Sequence, residues 1–114
     1  MRVTNAPASR ERRRRLAKAK GFYGARSKLF RTATEAVDRA MRLSTIHRKL
    51  KKRDYRQLWI ARVNAASRAE GISYSKLIAG LIKAGVTLNR KMLSEIAIHD
   101  PEGFKTLVDI AKNA

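Results

Sequence analysis

The side chains with chemical reach are of three kinds. Arginines and lysines are strung along the first sixty positions, aromatics are set among them, and two histidines stand alone. Residues 1–60 hold 19 Lys/Arg against 4 Asp/Glu, a net of +15, whereas residues 61–114 hold 8 against 5. Arg outnumbers Lys in the first segment, and the planar guanidinium fork suits phosphate oxygens and stacks on bases. Phe22, Tyr23, Phe30, Tyr55 and Trp59 are five of the seven aromatics in the chain. Aromatics interleaved with cations fit stacking on unpaired bases. So much like charge repels itself in water, so the implied partner is a polyanion: nucleic acid first, an anionic membrane second.

Catalytic chemistry finds little support. His47 sits inside a basic run and His99 near the end of an apolar-periodic segment, neither beside an obvious nucleophile. Carboxylates are too scarce in the basic half for an acidic metal site or a general acid/base pair. With no cysteine, disulfides and zinc fingers are excluded. The expectation is a non-enzyme with no metal, no small cofactor and no small-molecule substrate. No apolar run approaches the ~20 residues that span a bilayer. The charged N-terminus has no hydrophobic segment behind it, unlike a secretory signal. The most basic stretches also lack the broad apolar face of an interfacial helix, so no membrane partner is expected.

These side chains must be held by helices. Residues 1–9, with Pro7, read as an extended arm. Ser9 can cap a helix over Arg10–Lys20, whose clustered cations favour ordering against phosphates. Gly21 and Gly24 bracket two aromatics and permit a sharp bend. The Gly-x-x-Gly spacing also occurs in the KH module, but no strand pattern surrounds it and its middle residues are not basic. From Ala25 to Ala69 there is neither proline nor glycine. Leu29, Ala33, Ala36/Val37 and Ala40/Met41 form an apolar stripe that fades over Ile46–Asp54, where the helix is expected to kink or lie on a partner. It resumes through Leu58/Trp59 and Val63. Beyond Gly71, three amphipathic helices follow. Ser73 starts the one carrying Leu77, Ile78, Leu81 and Ile82. Asn89 starts the one carrying Met92, Leu93, Ile96 and Ala97. Asp100-Pro101-Glu102 starts the one carrying Phe104, Leu107, Val108 and Ala111. The predicted fold is all-α: a basic extension and long helix over 1–58, then a small helical domain over 59–114 with Trp59 and Val63 in its core.

Charge spread along an elongated element fits folded RNA better than a compact scaffold presenting one recognition helix to DNA. A DNA-compacting architectural protein is the alternative.

Four blocks then carry a resemblance. Lys20-Gly21-Phe22-Tyr23-Gly24-Ala25-Arg26-Ser27-Lys28-Leu29-Phe30-Arg31, the stretch 55–66, Gly71-Ile72-Ser73-Tyr74-Ser75 and Leu88-Asn89-Arg90-Lys91-Met92-Leu93-Ser94-Glu95-Ile96-Ala97-Ile98-His99-Asp100 resemble the bacterial large-subunit ribosomal protein family L-twenty. The match spans essentially the whole chain. It implies a basic extension entering large-subunit rRNA, a helical C-terminal domain, an early role in subunit assembly and neighbouring ribosomal proteins. In some members it also implies repression of the protein's own messenger. The implied location is the bacterial-type ribosome of the cytoplasm, or that of an organelle. The chain departs from the family pattern at Ser44-Thr45-Ile46-His47-Arg48-Lys49, so no contacts are carried over to Thr45 or His47. On this reading the RNA-contacting residues are Arg10, Arg12, Arg13, Arg14, Arg15, Lys18, Lys20, Arg26, Lys28 and Arg31. A second group is Arg48, Lys49, Lys51, Lys52, Arg53, Arg56 and Arg62, with Arg68 and Lys76 as further contributors. Gly21 and Gly24 bend the chain against RNA, and Tyr23 stacks.

Overall fold

In the computed structural model, which describes residues 5–114, helix α1 (Ala6–Lys18) begins on Asn5. The Asn5 side-chain oxygen accepts the Ala8 N–H at 3.2 Å, and Pro7 lies in the first turn. The start expected at Ser9 is therefore moved upstream. An asparagine cap and a proline with φ already set outweigh the low apolar content of this segment. Residues 5–9, expected to be extended, are capped or helical; the rest of the expected arm, residues 1–4, lies outside the described residues.

The chain divides into two compact units, one ending at Lys49 and one running from Leu50 to Ala114. In the first unit, α1 gives way to a bend in which Gly21 has φ +90° and Gly24 φ +59°. Side chains other than glycine rarely adopt such values. Helix α2 (Ala25–Lys28) is one turn long, and α3 (Phe30–Ala69) follows after Leu29. Leu29 is extended, with φ −85° and ψ 123°. Its N–H still reaches the Ala25 carbonyl at 3.0 Å and its carbonyl takes the Ala33 N–H at 2.7 Å. The interruption thus leaves neither backbone group of Leu29 unpaired. The expected uninterrupted helix from Ala25 is broken here. The polar middle, Ile46–Asp54, stays helical because it is rich in Lys, Arg and Leu and free of helix breakers. Ala19, Ala33 and Val37 are buried, with Leu16 and Phe22 packed against them. Leu29, expected on that stripe, is 60% exposed. The extended residue before the helix start does not share the helical face of Ala33 and Val37.

In the second unit the last turns of α3 join α4 (Tyr74–Lys83), α5 (Arg90–His99) and α6 (Pro101–Asn113), with α6 packing on both α4 and α5. Val63, Ile72, Leu77, Leu81, Leu93, Phe104, Val108 and Ala111 form its core. The expected caps at Asn89 and Asp100 are present. Asn89 accepts the Met92 N–H and Asp100 the Gly103 N–H, both at 2.9 Å. Ser73 occupies the cap position of α4 without a side-chain bond. Two expected core positions turn outward: Ile82 and Met92 are exposed, since their neighbours Leu81 and Leu93 take the inward face. Trp59 lies outside the core as well. The described residues contain no strand, so the expected all-α class is what the chain adopts.

Candidate nucleic-acid interface

Every Lys and Arg expected to contact RNA, from Arg10 to Arg62, is exposed on a helix face or bend. Few have an internal partner. Among the described residues the one Lys/Arg–carboxylate pair is Arg15–Glu11 at 3.2 Å, and the His99 Nε2 lies 3.3 Å from a Glu95 carboxylate oxygen, each one helical turn apart on the surface. Such pairs contribute little to stability. Apart from Arg15, no lysine or arginine among the described residues has a carboxylate within 4.0 Å. The cationic charge is therefore left for an external polyanion.

In the first unit the small core aligns cations along grooves. Lys18 and Arg48 line one of about 450 Å³, together with Met41 and Thr45. Arg26 and Arg39 line a second of about 810 Å³ with Phe22 and Glu35. The Arg12 guanidinium stands 5.6 Å from the centroid of the Phe30 ring, a cation–π contact between the first and third helices. Between the two positive-φ glycines Tyr23 is 95% exposed, so its ring is free to meet a base.

The second unit holds a more specific arrangement. Lys52, Arg53, Arg56 and Trp59 on α3 and Asn89, Arg90 and Lys91 at the start of α5 enclose a cleft of about 480 Å³. The local sequence explains the placement. The Asn89 cap fixes where α5 begins, and buried Leu93 one turn on holds that helix against the core. Arg90 donates from Nε to the Tyr74 hydroxyl at 2.8 Å, which ties its stem to the start of α4. Trp59 is half-buried, with its ring 6.1 Å from that of Tyr55 at an interplanar angle of 37°. Core packing was expected of Trp59. The core side chains reach α3 only as far back as Val63, one turn further on, and leave the indole on the cleft wall.

Lys52, Arg53 and Arg56 are thus brought together, whereas Arg62 is not among the residues lining this cleft. Asn89, Arg90 and Lys91, which also line this cleft, are not among the residues expected from the sequence to contact RNA. They lie more than thirty positions from Arg56 in the less basic half. The one available signal was a pair of cations directly after a helix cap. His47 and His99 are exposed and far apart in sequence, and no cluster of potential metal ligands occurs among the described residues.

A family profile described as Ribosomal protein L20 matches residues 2–107. The chain is 59% identical over 112 residues to the large ribosomal subunit protein bL20 of Clostridium botulinum strain Hall, covering 97% of this chain and 94% of that protein. It is 57% identical, with the same coverage, to the large ribosomal subunit protein bL20 of a Thermoanaerobacter species, strain X514.

Proposed function

The chain belongs to the ribosomal protein L20 family of the large ribosomal subunit, and on that premise we propose that it binds large-subunit rRNA directly and supports early assembly of the subunit. The family is one of ribosomal structural proteins, not of enzymes, and its setting is the bacterial-type cytoplasmic ribosome. The observation that carries the RNA reading is the unneutralised charge. A net +18 is carried with one arginine–carboxylate pair among the described residues. A polyanion relieves that repulsion and releases counterions as it binds.

In this reading the cations of α1 and of the first part of α3 neutralise backbone phosphates, the Gly21–Gly24 bend follows the RNA surface, and Tyr23 stacks. Residues 1–58 carry most of the contact and residues 59–114 form the helical head. Neighbouring large-subunit proteins complete its surroundings. The same surface serves repression of its own messenger where that RNA folds like the ribosomal site. No helix among the described residues is long and apolar enough to cross a membrane.

The test is competition at physiological salt between a folded large-subunit rRNA transcript, random duplex DNA and anionic vesicles, with the protein's own messenger leader as a fourth competitor. Retention by the rRNA against a large excess of duplex is the expected result. Equal binding to duplex DNA would instead make the chain a DNA-compacting architectural protein. Failure of the leader to compete would remove the repression role alone.

A further inference from the structure

The cleft on the second unit has a composition that phosphate binding alone does not require. Neutralising a backbone needs only cations, yet the lining also includes the single tryptophan of the chain. The indole is only partly exposed, and it lines this cleft instead of joining the neighbouring core of Val63, Leu77 and Val108. Tyr55, itself half exposed and outside the cleft lining, meets the indole at a tilt and braces its ring.

We propose that this cleft is a nucleobase subsite: an unpaired RNA base stacks on Trp59 while its flanking phosphates meet Arg53, Arg56, Arg90 and Lys91. The proposal rests on the rRNA-binding reading and adds to it the chemistry recognised at one point. The base must be unpaired, because a duplex hides base faces in its stack and only a splayed nucleotide offers one to an aromatic ring. Arg90 is pre-positioned, since its Nε is held by the Tyr74 hydroxyl and its terminal nitrogens remain for a phosphate. Asn89 also lines the cleft, and with its Oδ1 committed to the Met92 N–H its amide nitrogen remains as a donor that any of the four bases can accept from. Trp59 is thereby a specificity-determining residue, where a packing role would make it a stability determinant.

The lone tryptophan makes the test direct, since all indole emission comes from the site. The full chain is titrated with a large-subunit rRNA transcript and, separately, with heparin, a polyanion that has no bases. Stacking predicts strong quenching of the indole emission by rRNA and little by heparin at matched charge. Trp59→Leu is expected to weaken rRNA binding about tenfold and Trp59→Phe less than about threefold, with heparin affinity unchanged in both. Tight rRNA binding with quenching no greater than heparin's, or full affinity in Trp59→Leu, would refute the subsite and leave the RNA-binding reading standing. If rRNA binds no more tightly than heparin, that reading falls and the subsite with it.

Discussion

Consider the double substitution Arg53→Ala/Arg56→Ala, which takes two of the five cations from the cleft on the second unit. If each of the five meets a phosphate, the cleft alone supplies roughly 3.5–4.5 units of the log–log salt slope, at about 0.7–0.9 per contact. The substitution should flatten that slope by about 1.4–1.8. Affinity at low salt should fall more than affinity at high salt, because counterion release is largest when free counterions are few. Stability should barely move. Both side chains are exposed, and neither takes part in an ion pair or side-chain hydrogen bond among the described residues. Alanine is the better helix former and the change removes like charges from neighbouring turns, so the expected shift is within about 0.5 kcal/mol. Filter retention of a labelled rRNA transcript over about 50–200 mM salt measures the slope, and thermal melting followed by helical circular dichroism measures the stability. An unchanged slope would show that these arginines do not meet phosphate. A loss of more than about 1 kcal/mol in the melt would show that they hold the domain together.

Three other outcomes test how the domain supporting that cleft is built. A Cβ at Gly80 would press on the Ala111 carbonyl oxygen and lie 2.8 Å from that residue's carbonyl carbon and Cα. Backbone cannot step aside as a side chain can, so Gly80→Ala should cost about 1–3 kcal/mol and override the propensity gain of about 1 kcal/mol; an unchanged melting midpoint would mean that α4 and α6 separate freely. Ser94 is fully buried and its Oγ has no hydrogen-bond partner among the described residues, so Ser94→Ala should stabilise by about 1 kcal/mol, read as a higher urea midpoint at constant m-value. Tyr74→Phe removes the acceptor that holds Arg90, costing about 1 kcal/mol or less in stability. It should weaken rRNA binding while leaving the salt slope unchanged, because the guanidinium charge remains.

The parts of this protein legible in its sequence are those decided locally. Asn89 and Asp100 cap their helices because a short polar side chain reaches an N–H three residues on, and nothing distant alters that geometry. Leu77, Leu81, Leu93, Phe104 and Val108 turn inward because helical spacing sets one face per element. The parts that were not legible depend on where a neighbouring element stops. Trp59 and Val63 are one turn apart and share a face of α3, so periodicity treats them alike. What separates them is the reach of the core side chains, which enclose Val63 and leave Trp59 on a cationic wall. The charge asymmetry does not register the cleft for the same reason. Counting cations along the chain assigns RNA contact to the first sixty residues and folding to the rest. Arg90 and Lys91, from the less basic half, nevertheless line the same cleft as Arg53 and Arg56. A phosphate responds to cations within about a Debye length of ~8 Å at physiological salt, not to their order in the chain. A division of labour drawn along the sequence therefore holds only where the elements on either side of the line do not meet. At this cleft residues 52–59 and 89–91 do meet. Losing Trp59 should accordingly show first in RNA selectivity and only second in the melting temperature.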